Sequence, residues 1–467
     1  MLNKILNNLK KYPDDECYQT KNNVYKNRDL YKYVCNIYSY ITKKCSRQDR
    51  VIVYGHKEIY MIASFLACSF AGITYVPLDI SIPYERKLNI IKQVKPKLIL
   101  TSDIINEDSS EEITSVSIKD NDIYYIIFTS GSSGQPKGVQ IMYKNLKSCM
   151  NWLIDICDIN QTVILNQANF SFDLSVADIY LSLLTRSKHY IIEKELTEDF
   201  YLLFNALKIS NAEFAVMTPS FADFLLIDKS FNKTLMPHLK KILFCGEVLS
   251  QNTVSKLYER FPYIKIINSY GPTECTFAVT STVVTPNEKI SIGTPKDDVS
   301  IYIVDKNLNR LNEGEIGEIL IAGESVGNGY LDKSLNKNTF ITYDNKRAYL
   351  TGDFAYWKDN KLYYIGRHDS QIKFKGYRIE LLEIEQVINN LNYVQKSVVT
   401  TTKNKYGNIN GIIAFVLLKD FAKDDTIKND ISNMLPKFMM PKIKIVEKIP
   451  LTPNGKVDIK LLLGELK

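Results

Sequence analysis

A loop rich in glycine and hydroxyl side chains follows an apolar stretch of this chain. The segment from Asp122 to Gln140 reads D-I-Y-Y-I-I-F-T-S-G-S-S-G-Q-P-K-G-V-Q, and its first half is apolar enough for a buried strand. Glycines let backbone N–H groups face an anion, while hydroxyls and a lysine add hydrogen bonds and positive charge. The segment therefore has the chemistry that a polyphosphate needs. The residues that supply it are Thr129, Ser130, Gly131, Ser132, Ser133, Gly134 and Lys137.

Two common phosphate-binding patterns do not describe this loop. A Walker loop ends in Gly-Lys followed by Ser or Thr, whereas Lys137 is followed by Gly138. No G-x-G-x-x-G sequence follows the strand, as a dinucleotide-binding fold would require. A flexible Gly/Ser linker stays open as an alternative, although linkers seldom follow so apolar a strand.

The composition is that of a globular protein with more than one domain. The chain has 467 residues, 45% of them hydrophobic and 24% charged, and this length exceeds a single core. No apolar run is long enough to span a membrane, and the N-terminus lacks the features of a signal peptide. Eight scattered cysteines and four histidines argue against a zinc site or a disulfide framework and for a reducing cytoplasm. The net charge of +7 is spread along the chain, so no nucleic-acid partner is expected.

Strands and helices alternate along the chain, which predicts parallel α/β sheets. Helices are predicted at 59–71, 85–94, 143–157, 174–184, 381–391 and 426–435. Strands are predicted at 50–54, 97–101, 213–217, 241–245, 264–268, 373–378, 395–400 and 412–417, with a hairpin at 17–25. The polar segment 102–122 reads as a surface loop with a short strand, and 314–329 as hairpins of a small β subdomain.

The predicted fold class is α/β, with a large N-terminal domain that carries the parallel sheets and the β subdomain. A smaller α+β C-terminal domain is expected to follow it. The stretch Y-I-G-R-H-D-S-Q-I-K-F-K-G is dense in charge and glycine. We therefore predict a domain boundary there, between residues 1–368 and 369–467.

Segments that follow predicted strands carry side chains suited to binding. Asp173 lies in the apolar sequence L-N-Q-A-N-F-S-F-D-L-S-V, and a buried carboxylate needs a cationic or donor partner. Alternatively, Asp173 caps the helix at 174–184. One strand ends in Gly246 and Glu247, and the next ends in Y-G-P-T-E-C-T. Such turns often border a pocket at the carboxyl ends of a parallel sheet.

The ten residues T-S-G-S-S-G-Q-P-K-G resemble the phosphate loop of the AMP-forming adenylate synthetases. This family includes acyl-CoA ligases, luciferases and the adenylation domains of peptide synthetases. The resemblance covers essentially the whole chain, through Y-V-P-L-D-I-S-I-P, L-F-C-G-E-V-L, Y-G-P-T-E-C-T and I-P-L-T-P-N-G-K-V-D. It is closest to members that activate D-alanine and load it onto the phosphopantetheine thiol of a carrier protein, for D-alanylation of (lipo)teichoic acid in the cell wall. One departure is Asn169, where this subfamily is expected to have proline.

The resemblance implies a role for each matching residue. Tyr270 is expected to stack on adenine, Asp353 to accept the ribose hydroxyls and Glu274 to hold Mg²⁺, because a carboxylate beside triphosphate needs a cation between them. Lys456, Thr129 and Glu274 are the expected catalytic residues. The other expected contacts of ATP, beyond the loop residues named above, are Gly246, Glu247, Asn268, Gly271, Thr273 and Arg367. From the residues alone, Glu274 could be a surface turn residue and Tyr270 a core aromatic.

The substrate and the partner are also implied by the resemblance. Asp173 matches the residue that binds the α-ammonium of an amino acid, while Cys275 and Ile292 match positions that line the acceptor pocket. A cysteine and a branched aliphatic side chain leave little room there, so a small substrate side chain is expected, although Cys275 could equally be a core residue. Asp369 matches the hinge about which the C-terminal domain would rotate to admit a thiol. Since the chain ends soon after Lys456, we expect the carrier protein in trans.

Three alternative functions, and the enantiomer of the substrate, stay open on sequence alone. The enantiomer depends on where the substrate methyl group points. A peptide-synthetase enzyme for another small amino acid would share every motif, an acyl-CoA ligase would have no use for Asp173, and an inactive nucleotide-binding homologue would lack turnover.

Overall fold

The computed structural model describes residues 1–103, 112–131, 135–367, 370–404, 409–419, 422–450 and 457–464. The chain forms two compact units. The first comprises Met1–Ile80, Val94–Phe128 and Gly138–His368, and the second comprises Ser81–Gln93, Thr129–Lys137 and Asp369–Lys467. The domain boundary expected between residues 368 and 369 stays a prediction, and the two short early segments in the second unit were not expected.

The helices lie as follows, in chain order. They are α1 (Leu2–Lys11), α2 (Asn27–Thr42), α3 (Ile59–Ala71), α4 (Tyr84–Val94), α5 (Tyr143–Cys157), α6 (Leu174–Thr185), α7 (Lys194–Thr197), α8 (Phe200–Ser210), α9 (Pro219–Leu225), α10 (Gln251–Arg260), α11 (Leu381–Asn389), α12 (Asp424–Ser432) and α13 (Ile459–Gly464). The predictions at 59–71 and 143–157 are confirmed with the same bounds. Helix α3 ends where it does because Gly72 adopts a left-handed conformation at its C-terminus.

The strands lie as follows, in chain order. They are β1 (Glu16–Gln19), β2 (Val24–Lys26), β3 (Arg50–Gly55), β4 (Thr74–Asp79), β5 (Leu98–Leu100), β6 (Ile123–Thr129), β7 (Lys137–Met142), β8 (Val163–Asn166), β9 (Lys188–Ile191), β10 (Phe214–Met217), β11 (Lys241–Phe244), β12 (Lys265–Tyr270), β13 (Thr280–Val284), β14 (Thr294–Pro295), β15 (Val299–Val304), β16 (Gly317–Gly323), β17 (Gly329–Tyr330), β18 (Phe340–Tyr343), β19 (Lys346–Lys358), β20 (Lys361–Arg367), β21 (Gln371–Phe374), β22 (Tyr377–Glu380), β23 (Val394–Lys403), β24 (Ile409–Leu418) and β25 (Lys442–Ile445).

Three sheets belong mainly to the first unit. One has the order β14-β13-β12-β11-β10-β8-β9-β1-β2, and another has the order β17-β7-β6-β4-β3-β5. The strands from β12 to β1 in the former, and β3 to β6 in the latter, run parallel. A third, antiparallel sheet contains β15, β16, β18, β19 and β20. The predicted α/β class with a small β subdomain is therefore confirmed.

The main core of the first unit contains side chains from both parallel sheets and from the helices that pack on them. Helix α6 is buried along its whole length, as the apolar sequence L-S-V-A-D-I-Y-L-S-L-L-T allows. Its side chains share one cluster with Val51 and Tyr125 of one sheet and with Ile164 and Val216 of the other. The start of α6, directly after Asp173, is thus fixed by core packing.

The second unit ends in a small α+β part. Strands β23 and β24 are antiparallel, β25 pairs with β24 in parallel, and α11 and α12 contribute to their core. The single strand predicted at 373–378 is wrong, because β21 and β22 form an antiparallel hairpin there. Lys375 and Gly376 both adopt positive φ, of 53° and 82°, and so reverse the chain in a two-residue turn.

Two further expectations need correction. No strand is found in the described residues of segment 102–122, which are 102–103 and 112–122. Strand β7 was not predicted, since K-G-V-Q-I-M directly follows the Gly/Ser-rich loop and reads as its continuation. It pairs with β17 at the edge of its sheet and leads directly into α5.

Candidate active site

The carboxyl ends of four parallel strands meet at one edge of their sheet. Asn166 of β8 lies opposite Val216 of β10, and Phe244 of β11 lies opposite both Met217 of β10 and Asn268 of β12. The segments that follow these strands therefore share that edge. In parallel α/β sheets this is where ligands bind, and the predicted residues Gly246, Tyr270 and Glu274 belong to these segments.

Asp353 lies at the centre of a buried hydrogen-bond cluster. The Tyr270 hydroxyl donates to its Oδ2 at 2.6 Å, and Arg367 Nη1 donates to its Oδ1 at 2.9 Å. The Tyr364 hydroxyl also reaches Oδ1, at 3.3 Å. Asp353 of β19 and Arg367 of β20 are register partners, which explains why their side chains meet. The structure thus brings together three residues that the sequence predicts to contact ATP.

The electrostatics of this cluster keep Tyr270 a donor. Burial, and next to it the Asp353 carboxylate, raises the pKa of the Tyr270 hydroxyl well above its usual range. The Asp353 side chain is only 2% exposed and that of Arg367 is 9% exposed, so their ion pair is shielded from water. A carboxylate held in this way can accept hydroxyl donors such as those of a ribose.

Glu274 is completely buried in a short 3₁₀ turn, Thr273–Cys275. Its Oε1 accepts a hydrogen bond from the Tyr330 hydroxyl at 2.7 Å, and that hydroxyl lies 3.3 Å from the hydroxyl of Tyr349. The alternative of a surface turn residue is therefore wrong. Tyr330, in β17, was not singled out from the sequence, where it stands in an ordinary N-G-Y turn.

The turn that carries Glu274 packs closely on the backbone that follows it. A Cβ on Gly271 would lie 2.5 Å from the Cα of Ala278, so glycine is required there. Cys275 is completely buried, and it shares an apolar cluster with Tyr270 and the partly buried Ile292. Tyr270 and Cys275 are thus core residues in this structure, as their alternative interpretations allowed, and they also lie beside the predicted site.

Gly246, Glu247 and Asn268 follow or end the neighbouring strands. Gly246 has a φ of +93°, and Glu247 Oε2 accepts the N–H of Ser220 at the start of α9 at 2.8 Å. Asn268 Nδ2 donates to the carbonyl of Ser291 at 2.9 Å. These bonds order the edge of the sheet around Tyr270.

Asp173 stands at the N-terminus of α6 but does not cap it. Its side chain makes no capping hydrogen bond to the helix, so the capping alternative is wrong. The residue is half-buried rather than deeply buried as the sequence suggested. Burial, followed by the Asp173 carboxylate, raises the pKa of the Tyr125 hydroxyl well above its usual range, which places the carboxylate within electrostatic reach of β6.

The described part of the predicted phosphate loop belongs to the second unit. The Ser130 hydroxyl donates to the Arg378 carbonyl at 2.6 Å and accepts the Glu380 N–H at 3.1 Å. The Gly131 N–H donates to Glu383 Oε2 at 3.2 Å, and Glu383 also pairs with Arg86 of α4. One loop donor, the Gly131 N–H, thus already binds a carboxylate.

Thr129 offers a further donor in this loop. Its hydroxyl is buried and has no hydrogen-bond partner among the described residues. Five predicted site residues lie outside the described residues. They are Ser132, Ser133, Gly134, Asp369 and Lys456.

A sequence model described as AMP-binding enzyme matches residues 6–331, and one described as AMP-binding enzyme C-terminal domain matches residues 383–456. The chain belongs to the AMP-binding enzyme family. Two relatives of this AMP-binding enzyme are called D-alanine–D-alanyl carrier protein ligase. The relative from Bacillus licheniformis is 40% identical over 448 residues and the one from Bacillus cytotoxicus is 41% identical over 451 residues, and each alignment covers 89% of both chains.

A solved structure agrees with this family at the level of the fold. The Vibrio cholerae adenylation domain AlmE, in complex with glycyl-adenosine-5'-phosphate, superposes with a TM-score of 0.89 at 20% identity, and covers 99% of this chain and 97% of its own. At this identity the likeness establishes the fold alone.

The described part of this AMP-binding enzyme contains neither a metal cluster nor a membrane helix. Within the described residues, no group of three or more His, Cys, Asp or Glu side chains could hold a metal ion by itself. Among the described helices, none has the length and apolar character needed to cross a membrane.

Proposed function

We propose that this enzyme activates D-alanine as D-alanyl-AMP with ATP and transfers it to the phosphopantetheine thiol of a carrier protein, for D-alanylation of teichoic acid. The observation that carries the proposal is the 40% identity, over 89% of both chains, with a ligase of that name. The buried Cys275 beside Ile292 supports a small substrate side chain. The proposed place of action is the cytoplasm, with which eight free thiols agree.

The proposed nucleotide contacts are those that the resemblance to the family implies, and the buried cluster and the loop donors support them separately. The adenine would stack on Tyr270, the ribose hydroxyls would donate to Asp353, and Arg367 would hold that carboxylate in place. The phosphates would take the loop donors, among them the Thr129 hydroxyl and the Gly131 N–H. Lys456 would add positive charge at the reacting groups.

Magnesium fits this donor set. Mg²⁺ in nucleotide sites commonly takes one or two carboxylates and fills its other positions with phosphates and waters. Glu274 is a single buried carboxylate of this kind, with its orientation fixed by Tyr330. When bound, the ion would spread the negative charge of the triphosphate and of the leaving pyrophosphate.

The first step is a displacement at the α-phosphorus. Asp173 would bind the ammonium group of D-alanine. The carboxylate oxygen of D-alanine would then lie in line with the bond between the α-phosphorus and pyrophosphate. The new O–P bond forms as the bond to pyrophosphate breaks, and the pair of electrons leaves with pyrophosphate. The rate enhancement comes from positioning and electrostatics, since the protein forms no covalent bond to the substrate.

The second step is transfer to sulfur. The thiolate of the carrier attacks the acyl carbon, the C–S bond forms, and AMP leaves with the electron pair of the broken C–O bond. The thiol proton passes to the solvent. We propose that rotation of the C-terminal domain about Asp369 withdraws Lys456 between the two steps.

The test is ATP–pyrophosphate exchange with D-alanine, L-alanine, glycine and D-serine in parallel, followed by loading of a purified carrier protein. Preference for D-alanine is the expected result. Preference for another amino acid would replace the substrate and keep the chemistry, whereas exchange with none would overturn the assignment of adenylation.

A further inference from the structure

Lys57 is a buried lysine that the adenylation chemistry does not use. It follows β3 by two residues and is only 5% exposed. Its ammonium group donates at 2.8 Å to the carbonyl of Gln167 and at 2.8 Å to the carbonyl of Ile192. These two residues come directly after β8 and β9, at the carboxyl edge of the sheet. A single buried charge thus ties two chain segments together at the site.

The charge of Lys57 is compensated from inside the protein. Asp178 of α6 is completely buried, and its Oδ2 accepts a hydrogen bond from Asn166 Nδ2 at 2.8 Å. His189 Nε2 lies 3.3 Å from the other carboxylate oxygen. Asn166 Nδ2 also donates to the Ala168 carbonyl at 3.1 Å. The first residues after β8 are therefore held by two buried polar contacts, from Lys57 to Gln167 and from Asn166 to Ala168.

This anchored stretch leads directly to Asp173. Residues 167–173 connect β8 to α6, and the Phe172 N–H donates to the Asn169 carbonyl at 3.0 Å, so the connection is compact. Its far end is fixed by α6, which is buried along its whole length. Its near end is held by Lys57 through Gln167. The place of the Asp173 carboxylate therefore depends on both anchors.

We propose that Lys57 is a positioning residue for the amino-acid site, because it fixes the segment that presents Asp173 to the substrate ammonium. The inference rests on the proposed function only in assigning the ammonium to Asp173. Lys57 itself touches neither the substrate nor the nucleotide in this scheme.

The surroundings of Lys57 also give it a pH response. Burial lowers the pKa of Lys57 to about 8, and Asp178, Asp79 and Glu193 oppose that change. Asp79 in turn pairs with His56 Nδ1 at 2.6 Å. Above pH 8 the neutral amine can still donate hydrogen bonds, but it loses its attraction to Asp178. The hydrogen bond from Lys57 to the Gln167 carbonyl should therefore weaken as the pH rises. This effect should be smaller than that of removing the lysine side chain.

The experiment compares Lys57→Met with Lys241→Met. Lys241 Nζ also donates to two main-chain carbonyls, of Cys157 and Asp158, but at the amino end of β11. ATP–pyrophosphate exchange is measured with whichever amino acid the native enzyme prefers. We expect Lys57→Met to raise the KM for the amino acid about tenfold and to change that for ATP less than about twofold. Lys241→Met should change neither.

Two further readouts keep the result decisive. From pH 7 to pH 9 the KM for the amino acid should rise more in the native enzyme than in Lys57→Met, because both see the same titration of the substrate amine. Hydrogen exchange of the amides in residues 166–173 should be faster in Lys57→Met and unchanged in Lys241→Met. If Lys57→Met fails to fold, Lys57→Met with Asp178→Asn removes both buried charges.

An equal rise of both KM values in Lys57→Met, or unchanged exchange of those amides, would overturn the inference. If no amino acid supports pyrophosphate exchange, the proposed function fails. The hydrogen-exchange comparison then still decides whether Lys57 anchors the segment.

Discussion

The carboxylate of Glu383 accepts the backbone N–H of Gly131 at 3.2 Å. Gly131 belongs to the loop that we expect to bind the phosphates of ATP, so a carboxylate and a phosphate would use the same donor. Glu383 is at the same time paired with Arg86 and is almost completely buried. If the loop binds the phosphates as proposed, Glu383 and the nucleotide would compete for the Gly131 N–H.

Glu383→Gln should accordingly improve binding of ATP. The neutral amide is a weaker acceptor for the Gly131 N–H. Its oxygen can still accept from Arg86, but the buried ion pair is lost, so we also expect a lower midpoint in urea unfolding. We expect the KM for ATP to fall a few-fold in pyrophosphate exchange. Glu385→Gln is the matched control, since Glu385 also accepts a backbone N–H, that of Val399 at 2.9 Å, away from the loop. A KM for ATP that is unchanged or higher in Glu383→Gln would contradict the competition.

The ring and the hydroxyl of Tyr270 can be separated by two substitutions. If the ring stacks on adenine, Tyr270→Phe should keep the KM for ATP within a few-fold. Tyr270→Ala should raise it between about fivefold and about a hundredfold, since a stacked aromatic is worth about 1–3 kcal/mol. Both variants remove the donor to Asp353. Equal losses in the two variants would assign the effect to the hydroxyl instead.

Removing the charge of Asp353 should affect both folding and function. Asp353→Asn leaves the buried Arg367 without its carboxylate partner, and breaking a buried pair of this kind costs about 3–5 kcal/mol of stability. We expect a lower midpoint in urea unfolding together with weaker ATP binding. Asp298→Asn is a suitable control, since that carboxylate pairs with Lys296 and is itself 42% exposed. A stable Asp353→Asn variant would show that Arg367 finds other acceptors.

Substitution of Glu274 should change the Mg²⁺ dependence of pyrophosphate exchange more than substitution of Tyr330. Glu274→Gln removes the carboxylate that we propose for the ion and should raise the Mg²⁺ concentration that gives half-maximal exchange. Tyr330→Phe keeps the carboxylate and loses only the hydrogen bond at 2.7 Å, so its effect should be smaller. Titration of Mg²⁺ at fixed ATP in the three enzymes measures this order. A reversed order would move the metal away from Glu274.

The two half-reactions should depend on Lys456 to different degrees. Lys456→Ala is expected to abolish formation of the adenylate and to spare transfer from preformed D-alanyl-AMP to the carrier thiol. Rapid-quench measurements of each half-reaction provide the test. Equal loss of both would remove the basis for assigning Lys456 to the first step.

The sequence predicted regular elements well where local signals agreed with burial. The bounds of α3 and α5 were predicted without error. Helix α3 is a nearly continuous apolar stretch that ends before Gly72, and α5 has apolar residues at helical spacing. The hairpin of β21 and β22 was misread as one strand, since a lysine is an unusual residue at positive φ and only Gly376 hinted at the turn. Where a hairpin depends on such a turn, the φ angles of the turn residues determine the structure, and the pattern of apolar residues does not reveal them.

Side chains at the site divide in a similar way. Tyr270, Glu274 and Asp353 stand in segments with recognisable motifs, so they could be named in advance. Tyr330 and Lys57 could not, because each acts on a residue far away in the chain, such as Glu274 or Gln167. No local spacing encodes a contact of that kind, and only the folded sheets bring the partners together.

The complete burial of α6 has a consequence for how selectivity could change. The helix begins directly after Asp173, and it cannot shift without disturbing side chains of both parallel sheets. If Asp173 binds the ammonium group of the substrate, as we propose, that binding point is as rigid as the core. A new substrate preference would then have to arise from side chains expected to line the amino-acid pocket, such as Cys275 and Ile292, while Asp173 kept its position. Mild warming that loosens the core should therefore reduce the preference for one amino acid in pyrophosphate exchange before it abolishes exchange altogether.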